Sequence, residues 1–480
     1  MENIIGLTSS LGYIFFVIGI ATVVANKSQG ASETSRKVVH ILVGNWVFLT
    51  PLFTELWAVV LVPFTFIIIN SLSLKYTLIS AMERNDDSLG TVYYAVSLFF
   101  LSGLGFILGF RALPYIGVLT MAYGDGFAAI TGKKWGKRKP FPFAPQKSLA
   151  GSLMVAVAAF LATFGSLLYF QEEFRPERSL LFILFIALLN GFFSAFMELT
   201  GKKGCDNLTL PIGSGLFAVL SMEFGTLQYF LYLAAALAIL VYAFRKEAIT
   251  PDGMVAALLT AVTLYTLGGF LLGSSLILFF ILGTGVSKMK TKEKHEAEKT
   301  QEHTGARNWK QVLANSLPAV ILSWIYFFTE EPIYLFLAFT VFSAAASDTF
   351  SSEIGMMSKG KVYHILTGKP LPMGVSGGVT LQGLVAGIVG SVLLSLPILL
   401  AFGAEEYLLG GLLGFFGTII DSVLGASLQR KYEDVSGKLQ DIPAHAMDLP
   451  KKGFRLVSNN AVNLLSLTLV AIVGYVVTTL

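Results

Sequence analysis

Cysteine is nearly absent: Cys205 is the single one in 480 residues. One thiol excludes an intrachain disulfide, a Cys-x-x-Cys metal site and a dithiol redox pair. Charge is scarce as well, at 13% of residues against 54% hydrophobic, where an ordinary soluble domain carries roughly 25% charged residues. There is no Walker A motif, because GKKWGKRK (132–139) lacks the required glycine and lysine spacing. GDGFAA (124–129) lies in an apolar segment rather than after a soluble strand, which argues against soluble nucleotide-binding folds. The first apolar run, Ile4 to Val24, has neither a basic segment before it nor a small-residue cleavage site after it. It reads as a retained first span, not a signal peptide.

What remains is a succession of apolar runs, each about 20 residues long, the length that crosses a hydrocarbon core of about 30 Å as a helix. About sixteen such runs are expected, which predicts an all-α polytopic membrane protein in two bundles. The loops between them fall into two alternating sets, and one set holds 31 of the 34 Lys and Arg residues. Only Arg111, Arg175 and Arg178 lie on the other side, where Glu55, Glu172, Glu173, Glu223, Glu330, Glu331, Glu405 and Glu406 collect. The positive-inside rule makes the basic face cytoplasmic and puts both termini on the non-cytoplasmic side. The net charge of +4 is thus spent on membrane edges, and no nucleic-acid partner is expected. A basic, proline-containing junction, FRKEAITPDG (244–253), separates the halves, predicting domains at 1–245 and 246–480.

The chemistry of the first half gathers at its basic edge. Asp125 ends an apolar segment, and a carboxylate near mid-membrane costs about 2.5–3.5 kcal/mol unless it has a partner or water. Lys147 and Ser148 open the next span, where a lysine, a hydroxyl and free backbone N–H groups make an anion site. Glu198 precedes a turn, and Asp206 and Asn207 follow it. Asp206 reads either as a helix cap or, with Asp125 and Glu198 at the same depth, as part of a cation site. Arg36, Lys37 and His40 bunch at the water boundary, His40 reading as a satisfied polar residue at a helix end or as a ligand contact.

The second half carries a parallel set. The polar, charge-mixed stretch 287–304 is expected to be a solvated loop. After it, Arg307, Asn308, Gln311 and Asn315 enter a span at successive helical positions. Asp348 and Glu353 end another span, Lys359, Lys361 and Lys369 fill the following loop, and GVSGG with Ser376 and Gly377 opens the next. Asp421, Ser422 and Gln429, then Asn459, Asn460 and Asn463, supply oxygens and amides at the same depth. Asp125 precedes Gly132 by seven residues and Asp348 precedes Gly355 by seven, a loose internal echo.

Several of these motifs, taken in order, resemble known families. SRKVVH with a glycine four residues on, GDGFAA with GKKWGK, KSLAG, and the Glu198–Pro211 stretch with DNLTLP resemble the membrane kinases of phytol and dolichol, over about residues 30–243. The Asp and Lys-Ser elements are similar also to those of phosphatidate cytidylyltransferases. RNWKQVLAN, DTFSSEIG, PMGVSGGV, DSVLGASLQ and NNAVN resemble the membrane family that includes the phytyl phosphate kinases of plants, over about residues 250–480.

The first resemblance implies phosphorylation of an isoprenoid alcohol such as phytol, geranylgeraniol or farnesol by a nucleoside triphosphate, typically CTP, with UTP or ATP as alternatives. The second implies conversion of the isoprenyl monophosphate to the diphosphate. On this reading Asp125, Glu198 and Asp206, and in the second half Asp348, Glu353 and Asp421, are the catalytic acids. All of these except Glu198 are expected to hold Mg²⁺. Arg36, Lys37, His40, Lys147, Ser148 and Asn207 would bind nucleotide in the first half, and Arg307, Asn315, Lys369, Ser376, Gly377, Gln429, Asn459 and Asn463 in the second. The rival reaction is cytidylyl transfer. A secondary transporter is the rival class, but its acids belong near the midplane and not at the basic edge.

Overall fold

Short polar side chains set where many of the helices begin. Ser148, Ser179, Thr226, Thr250, Thr291, Thr380 and Ser458 each accept a backbone N–H of the first turn, and Asn308 forms a capping box with Gln311. Such caps satisfy donors that would otherwise be orphaned at the membrane edge. The computed structural model describes residues 1–27, 33–76, 89–174, 178–201, 204–302, 305–434, 437–443 and 448–480. They divide into two units, Met1–Gly225 and Thr226–Leu480.

The first unit contains α1 (Glu2–Lys27), α2 (Glu33–Gly44) running into a 3₁₀ turn (Asn45–Leu52), α3 (Leu56–Tyr76), α4 (Gly90–Leu108), α5 (Ala112–Trp135), α6 (Leu149–Tyr169), α7 (Leu180–Thr200) and α8 (Asp206–Phe224). Its central helix is α5, which packs on α6, α8, α2 and α4. Inside, Asn190 donates to Thr163 Oγ1 at 2.7 Å and Ser214 Oγ at 2.9 Å, and Ser214 reaches Thr120 at 3.2 Å. This buried network joins α5, α6, α7 and α8 where lipid-like packing alone gives little drive.

The second unit contains α9 (Leu227–Arg245), α10 (Pro251–Ser287), α11 (Lys292–Glu298), α12 (Trp309–Thr329), α13 (Pro332–Gly355), α14 (Leu381–Ala401), α15 (Ala404–Ser427) and α16 (Asn459–Thr479). Two antiparallel pairs, β1 (Tyr363–His364) with β2 (Gly378–Val379) and β3 (Tyr432–Glu433) with β4 (Leu439–Gln440), cross its loops. The central helix here is α13, against which α14 lays Gly383, Gly387 and Gly390 and α15 lays Gly410, Gly414 and Gly417. Small residues at that spacing let helix backbones approach closely.

Twelve helices among the described residues are long and apolar enough to cross a bilayer, against the sixteen spans expected. The difference has local causes. The α5 and α8 helices carry the polar residues of the site, and the apolar segment Lys37–Leu52 is short. The α10 helix is one run broken at Gly269 (φ 78°, ψ −179°). The expected domain junction at 245/246 lies at the far end of α9, which packs in the second unit.

Candidate functional site

In the first unit, α2 lies directly on α5 because two glycines face the contact. A Cβ at Gly44 would overlap Ala122 and come within 2.7 Å of the Tyr94 hydroxyl, and one at Gly126 would lie 2.7 Å from Ile41. This approach brings Lys37 into an ion pair with Asp125 and puts His40 Nε2 3.6 Å from the same carboxylate oxygen. The imidazole is placed by Tyr94, whose ring lies 4.5 Å away and whose hydroxyl donates to the His40 carbonyl at 2.9 Å. The side chain of Arg36 lies outside the described residues.

A second pair sits beside the first. Lys147 binds Glu198 and lies 3.9 Å from Asp206 Oδ2. Burial alone would push the Lys147 ammonium down, but Glu198 and Asp206 outweigh it and hold it above its ordinary value. Glu198 is buried, and its second oxygen has no hydrogen-bond partner. Asp206 is the first residue of α8, whose cap position is Cys205, so its carboxylate faces the cluster and is not the cap. Ser148 caps α6, accepting Gly151 N–H at 3.2 Å, and Asn207 ties α8 to α4 through the Gly90 carbonyl at 3.0 Å. Both have a structural partner in addition to any ligand.

From this cluster an apolar cavity of about 210 Å³ runs between α1, α3 and α4, with Tyr13, Val17, Phe66 and Leu98 among its walls. Its polar lining, Lys37, His40, Asp125, Asp206 and Asn207, gathers where α2, α4 and α8 begin and α3 ends. An apolar slot closed by a paired lysine and carboxylate suits a long-chain molecule with one polar end.

In the second unit, the carboxyl groups of Asp348 on α13 and Asp421 on α15 stand beside one another. Ser466 donates to Asp421 Oδ2 at 3.0 Å, and Asn463 donates to Asn315 Oδ1 at 3.4 Å. Two carboxyls in contact cannot both stay charged without a shared proton or a cation. Glu353 instead takes Lys294 at 2.6 Å and the Ser287 hydroxyl at 2.7 Å. This corrects the expected solvated loop over 287–304. Within it α11 folds, Lys294 is 1% exposed, and its ammonium also donates to the Ser287 carbonyl at 2.7 Å.

Arg307 stacks its guanidinium 5.5 Å and 5.9 Å from the rings of Phe279 and Phe280. It closes a cavity of about 50 Å³ between α9, α10 and α12, with Gln311 and Asn315 beside it. The remaining expected phosphate contacts lie elsewhere in the unit. Ser376 N–H, at 3.1 Å, and the Ser376 hydroxyl both donate to Asp441, as does Gln429 Nε2 at 3.3 Å. Gly377 has φ +85°, and a Cβ there would lie 2.6 Å from Ala426. Asn459 N–H donates to Glu302 at 3.1 Å, and Glu302 pairs with Arg430. Lys369 is exposed on the turn between β1 and β2. Sequence reading missed Lys294 on the short α11, and Glu302, Arg430 and Asp441 in charged loops, all in stretches whose composition matches an ordinary solvated surface.

Among the described residues, no group of three or more His, Cys, Asp or Glu side chains is placed to hold a metal ion. Depth alone had grouped Asp125 with Glu198 and Asp206, and Asp348 with Glu353 and Asp421, but Glu198 and Glu353 are engaged by lysines. The Asp348–Asp421 pair still fits Mg²⁺, which binds through one or two carboxylates and completes its octahedron with waters and substrate phosphates.

The internal echo is a packing register. In the first unit Gly132 faces the Ser148 cap hydroxyl at 3.1 Å, and Gly151 faces the Ala128 carbonyl at 3.3 Å, both measured from an added Cβ. In the second, Gly355 faces the Thr380 cap hydroxyl at 3.2 Å and Gly383 the Ser351 carbonyl at 2.7 Å. Ala128 and Ser351 each follow their aspartate by three residues, and Gly132 and Gly355 by seven. The helix pairs α5/α6 and α13/α14 therefore pack in the same register around Asp125 and Asp348.

The family model described as integral membrane protein DUF92 matches residues 234–471, and a phytol kinase of Synechocystis is 32% identical over 216 residues, 45% of this chain and 89% of that protein. Residues 234–471 belong to the DUF92 family of integral membrane proteins. An uncharacterized membrane protein of Methanocaldococcus jannaschii is also 32% identical, over 39% of this chain and 77% of its own length. A probable chloroplastic phytol kinase 3 of Glycine max is 32% identical over 38% of this chain and 61% of its length. No solved structure matches this chain.

Proposed function

We propose that the chain is a membrane kinase with two sites, the first unit phosphorylating an isoprenoid alcohol and the second adding a phosphate to the resulting monophosphate. The observation that carries this reading is the apolar cavity of the first unit ending on Lys37, His40 and Asp125, together with phytol kinase relatives. The isoprenoid chain lies in the slot and its hydroxyl reaches Asp125. The alcohol oxygen attacks the γ-phosphorus of the nucleoside triphosphate, the new O–P bond forms, the bond to the nucleoside diphosphate breaks, and the alcohol proton passes to the Asp125 carboxylate.

Phosphoryl transfer depends mainly on position and charge neutralisation. Lys147, half-buried between Glu198 and Asp206, is the cation for the phosphates, with Lys37 orienting Asp125. In the second unit Arg307 receives the monophosphate at the mouth of its apolar cavity, and Asp348 and Asp421 would hold Mg²⁺, which supplies charge neutralisation to the phosphates when bound. Both sites lie at the basic edge and face the cytoplasm on this reading, and CTP is the proposed donor.

The shared register around Asp125 and Asp348 supports two related sites. Incubating the chain with phytol, Mg²⁺ and CTP tests the reaction type. Release of CDP with phytyl phosphate is expected, whereas release of pyrophosphate with a CDP-linked lipid identifies cytidylyl transfer and overturns the kinase reading.

A further inference from the structure

In the second unit three loops are tied into one layer by hydrogen bonds. Asp441 N–H donates to the Thr300 carbonyl at 2.9 Å, and the Thr300 hydroxyl donates to the Met373 carbonyl at 3.3 Å. Within this layer the chain buries one of its own carboxylates in a nest of donors. Asp441 is 3% exposed, and its Oδ2 receives Ser376 N–H at 3.1 Å, the Ser376 hydroxyl, and Gln429 Nε2 at 3.3 Å. Its Oδ1 is buried with no hydrogen-bond partner, as is Gln429 Oε1. Ser376 lies between two residues with left-handed backbone, Gly374 (φ +87°) and Gly377 (φ +85°), a curvature that turns the Ser376 N–H inward to the carboxylate while the Val375 and Gly378 N–H groups bond to the Pro372 and Val375 carbonyls.

A planar carboxylate uses this nest poorly, because the donors converge on one oxygen and leave the other bare. Burial pushes the Asp441 carboxyl up to about 6, so its charge is held at a cost in spite of Ser376 and Lys431. A tetrahedral phosphate spreads its charge over more oxygens and suits the same backbone and hydroxyl donors better. The neighbouring carboxylate repeats the arrangement: Glu302 is held by Arg430 and by Asn459 N–H at the start of α16, and Arg430 Nε is buried without a partner.

We propose that Ser376 and Gln429 form a binding site for the phosphate group of a phosphate ester, and that Asp441 is the chain's own occupant, which the ester displaces. The ester is either a lipid monophosphate or a nucleotide. The proposal deepens the reading of this unit as a phosphate-handling site. Its test reads binding without turnover, so a failed kinase assay and a failed binding assay are separate results.

Full-length wild type, D441A, D441N, S376A and S376A/D441A are purified in detergent, and thermal unfolding is followed by tryptophan fluorescence with dodecyl phosphate, CTP or pyrophosphate as probe. D441A is expected to bind at least one probe roughly tenfold tighter than wild type, with the size-matched D441N between them and the double variant losing the gain. A gain with dodecyl phosphate alone assigns the site to the lipid phosphate, with CTP alone to the nucleotide, and with pyrophosphate as well to the phosphate group itself. No gain in folded D441A and D441N, or a gain that survives in S376A/D441A, overturns the proposal.

Discussion

Lys37 and Asp125, 88 residues apart in the chain, form an ion pair at the polar end of the first unit's apolar cavity. The pair exists because α2 rests on α5 without a side chain at Gly44 or Gly126. Gly44→Ala drives a methyl group into Ala122 and the Tyr94 hydroxyl, and overpacking of this kind costs about 1–3 kcal/mol. The expected outcome is a lowered Tm together with loss of alcohol phosphorylation, while second-unit activity on added monophosphate persists. Assays of the two steps on one preparation check it.

The residues of this contact were legible in the sequence, since a basic cluster with His40 and an apolar aspartate both break their surroundings. Their partners were not. A linear pattern places Asp125, Glu198 and Asp206 at one depth, but only the fold assigns Lys37 to the first and Lys147 to the second. Lys294 shows the limit most plainly: in a run of alternating charge nothing distinguishes the one lysine that turns inward to Glu353. The twelve apolar helices were legible from hydropathy, whereas α5 and α8 are polar where they line the site.

Removing Lys147 leaves Glu198 buried and uncompensated. Breaking a buried pair from one side costs about 3 kcal/mol or more, while neutralising both partners costs much less. K147M is expected to be strongly destabilised and K147M/E198Q to recover most of the loss, with neither regaining kinase activity. A double-mutant cycle on denaturation midpoints measures it.

Asp441 gives the loop layer of the second unit a pH dependence of defined sign. Its carboxyl is raised from 3.8 to about 6, first by burial, so the folded state binds the proton more tightly than the unfolded state. Its stabilising contribution is complete below 3.8 and is lost as pH rises through about 6. Relative to wild type, D441N is therefore expected to raise Tm at pH 7.5 and to leave it little changed or lower at pH 4. A Tm profile of both proteins across that range checks the sign.

Arg307 closes the second unit's cavity and stacks on Phe279 and Phe280. If it receives the monophosphate head group, R307Q raises KM for isoprenyl monophosphate by about tenfold with a smaller change in kcat, the pattern of lost ground-state binding. The alcohol step is expected to be unaffected. Steady-state kinetics with each substrate separate the two.

The most direct test follows product identity in the two aspartate variants. Purified chain is supplied with geranylgeraniol, phytol or farnesol, Mg²⁺ and γ-labelled CTP or ATP, and monophosphate is resolved from diphosphate. Wild type is expected to convert alcohol to diphosphate, Asp125→Asn to make neither product from alcohol yet still phosphorylate added monophosphate, and Asp348→Asn to accumulate monophosphate. Formation of diphosphate from alcohol by both variants would contradict the two-site account.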